Sequence, residues 1–193
     1  MENKTDNAKR YYHGTPLEYG LAIGKSGFIL SPWHKEIEDL KREGFDDGQR
    51  LSKVLALRGK SPDMTLEDLA LELASCSYRK NFQDNLSAAN GDEAAVKKAV
   101  RYYEKETIER VKSISFTRDL RNAVAYTGQE SEGIVLSFEI YGDEQTIFVP
   151  ERISLENNLK EVFIAPGAVK KAAKIREVYD KYHPRYFRLK AEA

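Results

Sequence analysis

Ser113-Ile-Ser-Phe-Thr-Arg-Asp-Leu-Arg-Asn-Ala-Val-Ala-Tyr126, followed after a polar connection by Gly133-Ile-Val-Leu-Ser-Phe-Glu-Ile140, reads as strand, helix, strand. In the second run Ile134, Leu136, Phe138 and Ile140 recur at every second residue, the period of a strand with one face on a core. Ser113 to Phe116 is a shorter strand and Asp119 to Tyr126 a short helix. Downstream, Thr146 to Val149 and Glu161 to Ala165 add strands. A helical, basic tail from Val169 to Tyr182 is expected to end at His183-Pro184.

Upstream, Arg10-Tyr-Tyr-His13 is a strand, and Gly14-Thr15-Pro16 is the turn into a helix. Thr15 is read as its N-cap, Pro16 as its first residue and Glu18 as the partner that completes a capping box. Three glycines between Gly20 and Gly27 are expected to break that helix; Phe28 to Leu30 is a strand stopped by Ser31-Pro32. From Trp33 to Val111 apolar spacing turns helical, with three helices expected, a capping signal at Thr65 and Asp68, and a loop from Asn85 to Asp92. Trp33 and His34 are read as packing this segment onto the core. The fold class is α+β: a single domain over 1–193 whose strand-rich frame carries a helical insertion at about 33–111.

Lys plus Arg equals Asp plus Glu at 31 each, so no overall field draws the chain to nucleic acid or to a membrane surface. Cys76 is the one cysteine, which excludes an internal disulfide; it is read as a small buried or half-buried side chain in a reducing compartment. With a polar N-terminus and no apolar run near the roughly 20 residues that span a bilayer, a cytoplasmic protein is expected. H-E-x-x-H, paired C-x-x-C, the phosphate-binding G-x-x-x-x-G-K-[ST], G-x-G-x-x-G and G-x-S-x-G are all absent, so no metal is expected.

Short signals on strands remain. Tyr12-His13-Gly14-Thr15 precedes the glycine-punctuated Gly20-Leu-Ala-Ile-Gly24; the strand ending at Phe116 leads into a helix ending at Tyr126; Leu159-Lys-Glu161-Val-Phe-Ile164 opens a late apolar strand with a glutamate. Taken singly, His13 is more often structural, Phe116 and Tyr126 are core aromatics, and Glu161 is a solvated strand-end carboxylate. In this order, over about 10–31 and 112–167, they resemble the ADP-ribosyltransferase superfamily, specifically the His-Tyr-Glu branch that includes the poly(ADP-ribose) polymerase catalytic domains.

The resemblance implies a split β-sheet core that binds NAD as substrate. It implies that His13 bonds the adenosine-side ribose, the Gly14 backbone holds the nicotinamide amide with help from the Thr15 hydroxyl, and Tyr126 stacks on the nicotinamide ring with Phe116 as the opposite wall. Glu161 would bind the 2′-hydroxyl of the nicotinamide ribose and stabilise the developing cation. This chain departs from the pattern: Leu159 stands where arginine-modifying relatives carry Glu or Gln, Ser115-Phe116 lacks a tyrosine, and Ala123 stands where serine is common.

The function implied is mono-ADP-ribosyl transfer to a protein or nucleic-acid acceptor, in a bacterial or phage toxin, effector or defence role. An antitoxin or regulatory partner would sit at the insertion, and no membrane is involved. Rivals are an NAD glycohydrolase, an RNA 2′-phosphotransferase with Arg118 and Arg121 as phosphate ligands, and an inactive NAD- or ADP-ribose-binding module. Many charges of the last inserted helix interleave in sign and read as a solvated face, whereas Lys170, Lys171, Lys174, Arg176, Lys181, Arg185, Arg188 and Lys190 are the better candidates for phosphates or RNA.

Overall fold

The structure, a computed structural model, describes residues 8–76, 97, 100, 105–127 and 132–190. Among these, chain order is β1 (Lys9–Pro16), α1 (Leu17–Ser26), β2 (Phe28–Leu30), α2 (Pro32–Arg42), α3 (Gly48–Leu57) and the helical stretches α4 (66–76) and α5 (105–111). There follow β3 (Ser113–Thr117), α6 (Leu120–Ala125), β4 (Gly133–Ile140), β5 (Thr146–Pro150), β6 (Arg152–Ser154), β7 (Leu159–Ile164), α7 (Ala172–Tyr179) and β8 (Arg185–Arg188), with 3₁₀ turns at Pro166–Lys171 and Asp180–Tyr182. The protein is mixed α+β, in two compact units: one holds residues up to Ile29, Ser115–Val149 and from Ile153 onward, the other the described part of Leu30–Ile114 with Pro150–Arg152.

The first unit is built on a six-stranded sheet in the order β5-β3-β1-β4-β7-β8, in which β1 pairs antiparallel with β3 and β4, β4 antiparallel with β7, and β7 parallel with β8. β4 is its centre and has the bounds expected from its alternation. Residues 133–138 are buried without a break, because neighbours flank both edges and both faces are covered. β1 pairs with β4 along its whole length, from Lys9↔Ile140 to Pro16↔Gly133. That ladder takes Thr15 and Pro16 into the strand, so the expected cap fails: α1 starts at Leu17, Pro16 occupies the cap position, and no side chain closes the end.

The expected break at Gly20 to Gly27 also fails. Gly20 and Gly24 lie inside α1, where a Cβ would come within 2.7 Å of Ile134 and of Val178. Glycine here lets α1 approach β4 and α7 closely, and the bared backbone is used. Tyr179 donates to the Gly20 carbonyl at 2.6 Å and Tyr182 to the Gly24 carbonyl at 3.0 Å. Burial, reinforced by the neighbouring Tyr182 and Tyr186 hydroxyls, pushes the Tyr179 phenol far above its ordinary value, so it remains a donor. The tail is divided between 3₁₀ turns and α7, with His183 left-handed at its end; β6 and β8 are strands the alternation does not reveal.

The second unit packs Ile37, Leu40, Leu55, Leu66, Leu69 and Ala70 at its centre. Trp33, partly buried, packs against this centre, donates to the Glu67 carbonyl at 2.9 Å and carries Lys112 4.5 Å over its ring. Its packing is thus accounted for within the helical unit itself. Helix is found in four described segments rather than three, and the Thr65–Asp68 cap forms as expected, with Asp68 accepting from the Thr65 amide and hydroxyl. The loop expected at Asn85 to Asp92 lies outside the described residues. Cys76, expected to be at least half-buried, is exposed and helical. In α5 the i,i+4 pairs Arg110–Glu106 and Lys105–Glu109 match a solvated face.

Candidate active site

β1 stays on β4 to its end but pairs with β3 only at Tyr12↔Thr117. Where the two strands part, a cleft of about 410 Å³ opens, within the range of small-molecule sites. Its walls are Tyr12, His13 and Gly14 from β1, Ser115 to Thr117 from β3, Asn122, Ala123, Ala125 and Tyr126 from α6 and its end, and Thr146. α6 is held there by Asp119, whose carboxylate accepts from the Arg121 amide at 2.9 Å.

Gly14 is required by packing before any ligand is considered. A Cβ on it would lie 1.7 Å from the Ala123 carbonyl oxygen, so α6 rests on bare β1 backbone. His13 is half-buried, 5.5 Å from the Phe116 ring centroid, and its Nδ1 is 3.1 Å from the Ser115 carbonyl. A carbonyl only accepts, so Nδ1 carries the proton and Nε2 keeps a lone pair.

Burial lowers the His13 pKa below its ordinary 6.5, opposed by the Ser115 hydrogen bond. In the unfolded chain the ring protonates first as the pH falls. His13 therefore withdraws stability as the pH drops below about 6.5 until its folded pKa is passed. His13→Gln is expected to flatten the unfolding free energy measured in urea between about pH 7 and pH 5 relative to wild type. Parallel pH profiles would overturn this assignment.

Tyr126, at the C-terminal end of α6, is 67% exposed and has no aromatic partner among the described residues. Phe116 lines the cleft but is 1% exposed and packs edge-on against Phe138 at 5.4 Å, a core residue with one edge on the site. Thr15 is buried and absent from the cleft walls; its hydroxyl reaches the Pro16 carbonyl at 3.4 Å.

Glu161 does not line the cleft. The register Tyr12↔Ser137↔Glu161↔Arg185 runs across β1, β4, β7 and β8, placing its side chain on the same sheet face as Tyr12, which does. The β4-β7 register shifts beside Ser137, leaving Lys160 as the extra residue next to Glu161; bulges of this kind re-aim side chains. Glu161 is 2% exposed, not solvated as its place in the sequence suggests. Arg185 Nη2 donates to Oε1 at 2.6 Å and Arg10 Nη1 lies 3.4 Å from Oε2. Oε2 and the neighbouring Ser137 Oγ are both buried without a hydrogen bond. A buried oxygen without a hydrogen bond is costly in a folded protein, and each such group calls for an explanation.

Of the residues expected at the site, His13, Gly14, Phe116 and Tyr126 meet at one cleft, Thr15 is off its walls, and Glu161 lies on the adjoining face. Sequence reasoning missed Arg10, Ser137 and Arg185 as neighbours of that carboxylate. No local signal marks any of the three, because Arg10, Ser137 and Arg185 are joined to Glu161 only by strand pairing. In the helical unit, Ser31 Oγ and His34 Nδ1 share a hydrogen bond of 3.0 Å, giving His34 a partner that sequence did not offer; Ser31 is buried and caps α2. Among the described residues no cluster of three or more His, Cys, Asp or Glu side chains is placed to hold a metal, and no helix is long and apolar enough to cross a membrane. No protein-family model, curated protein or solved structure matches the chain.

Proposed function

We propose that the protein is an NAD-dependent mono-ADP-ribosyltransferase with an ADP-ribosyltransferase-like split-sheet core. The observation that carries this reading is the cleft between β1 and β3, which pairs a histidine offering a lone pair with an exposed tyrosine ring, while a buried carboxylate on β7, one oxygen of which accepts no hydrogen bond, shares the sheet face of Tyr12. Nicotinamide would lie on Tyr126, and a ribose hydroxyl would donate to His13 Nε2. The carboxylate of Glu161 would face the ribose through Oε2.

As the bond between ribose C1′ and the nicotinamide nitrogen breaks, its electron pair leaves with neutral nicotinamide and positive charge develops on the sugar. A fixed carboxylate in a water-poor site stabilises that charge without reorganisation. The acceptor's lone pair then bonds to C1′ and its proton passes to solvent.

Nicotinamide release from NAD, measured with and without a cell lysate, tests the reading. Release that requires the lysate supports transfer to a macromolecule, while equal release without it favours the glycohydrolase. NAD binding with no release favours an inactive binding module, and absence of both overturns the assignment. Tyr126→Ala is expected to raise KM for NAD roughly three- to tenfold, the worth of one aromatic contact. Because the ring is mostly exposed, the melting temperature should stay near that of wild type.

A further inference from the structure

We propose that β8 and the segment leading into it bind the acceptor, and that the acceptor is single-stranded nucleic acid. The transfer step rests on the reading of the cleft given above; the binding surface does not. Charge is the first observation. The chain is balanced overall, yet Pro166 to Lys190 carries eight Lys and Arg against only Glu177 and Asp180. All eight cations are exposed, and Lys170, Lys171, Lys174, Arg188 and Lys190 pair with no carboxylate among the described residues. Such a local excess attracts a polyanion to one edge of a neutral protein.

The second observation is an aromatic row. Phe187 on β8 stacks on Phe163 of β7 with centroids 5.2 Å apart and planes 22° apart, and Phe187 remains 41% exposed. Phe163 meets Tyr12 edge-on at 5.9 Å, and Tyr12 lines the cleft. The rings thus run from the edge strand of the sheet to the candidate active site. α1 packs against the opposite face, on Ile134, leaving the row on the face that receives α6 at Gly14.

Arg185 joins the two features. It sits two residues from Phe187 on the same face of β8 and donates to Glu161, while Arg188 alternates to the other face of this edge strand, where Arg176 of α7 lies 4.9 Å over the Tyr186 ring; the cations therefore meet the ring row around the strand edge rather than along one face. Cations tracking a backbone beside exposed rings are the means by which unpaired bases are held: phosphates meet the charges and bases stack on the aromatics. A duplex keeps its bases stacked inside and cannot use the rings. An acidic peptide would use the charges and leave Phe187 idle. With a strand seated here, a nitrogen or oxygen lone pair of a nucleotide would bond to C1′ as nicotinamide departs with the broken bond's electrons, and its proton would pass to water.

Fluorescence anisotropy of the full chain tests this with a short labelled single-stranded RNA of mixed sequence, the same RNA as a duplex, and polyglutamate. The single strand should bind more tightly than either other probe. Phe187→Ala should weaken it on the order of tenfold, with Phe187→Tyr restoring binding. Arg188→Ala with Lys190→Ala, both at exposed positions, should lower the slope of log affinity against log salt by roughly 0.7 for each phosphate that is no longer neutralised.

Polyglutamate binding as tightly as RNA, a Phe187→Ala protein with wild-type affinity, or no RNA binding overturns the proposal. Nicotinamide release without RNA binding rejects this surface and leaves the reading of the cleft standing. RNA binding without nicotinamide release supports the surface and rejects the transfer chemistry of the cleft.

Discussion

Glu161→Gln is expected to slow nicotinamide release from bound NAD by roughly 100- to 1,000-fold, the usual loss when one preorganised electrostatic contact to a transition state is removed. NAD affinity should change by only a few-fold, because the sugar charge that the carboxylate meets exists only while the bond is breaking. The amide is a conservative probe: its oxygen still accepts from Arg185 as Oε1 does at 2.6 Å, and no side-chain volume is lost. What it removes is the negative charge beside Arg10 and Arg185. Single-turnover release measured beside calorimetric NAD binding separates the two effects, and an unchanged rate would show that Glu161 takes no part in the chemistry.

Arg10 and Arg185 raise a further point about that carboxylate. Ion pairs from two partly exposed arginines offset the cost of burying the charge and hold it ready, yet they also occupy it. Oε2, whose one ion-pair contact among the described residues is Arg10 at 3.4 Å, is the oxygen with capacity to spare for a hydroxyl.

Gly14→Ala is expected to cost on the order of 3 kcal/mol or more, in the range reserved for strongly overpacked sites. The new methyl would sit 1.7 Å from the Ala123 carbonyl oxygen and 2.7 Å from its carbon, both backbone atoms that cannot rotate aside. Moving them disturbs the Ala123 carbonyl's bond from the Tyr126 amide at 3.1 Å, so the cleft wall shifts along with the helix. A loss of this size corresponds to a melting temperature about 6–12 °C lower for a chain of this length. Gly48→Ala, where nothing lies within 4 Å of the added Cβ, is the control and should melt within a degree or two of wild type. Equal melting of the two variants by calorimetry would mean that α6 does not rest on β1 as described.

These two positions differ in how they can be read. Glu161 is marked by the order of short motifs along the chain, whereas its burial, the bulge at Lys160 and its arginine partners come only from the sheet. Gly14 stands out as a residue suited to close approach, but the atom that approaches is the Ala123 carbonyl, more than a hundred residues away in the chain. Thr15 shows local logic losing: Thr-Pro-x-Glu is a sound helix start in isolation, and eight ladder pairs between β1 and β4 outweigh one capping box. Gly20 and Gly24 show the same from the other side, since glycine's local cost in a helix is offset by contacts with Ile134, Val178 and Tyr179.

By itself the amino-acid order determined the α+β class, the strand Gly133–Ile140, the helical character of the described part of the inserted segment, the short helix ending at Tyr126 and the cap at Thr65–Asp68. Each of these is set by contacts a few residues apart, where periodicity and capping chemistry act directly. Tertiary structure alone decided where β1 leaves β3 to open the cleft, which tautomer His13 adopts, that β8 adds a parallel edge, and that Arg10 and Arg185 meet over Glu161. Those features join strands from distant parts of the chain, and their energies depend on pairing register and burial, which no local pattern encodes.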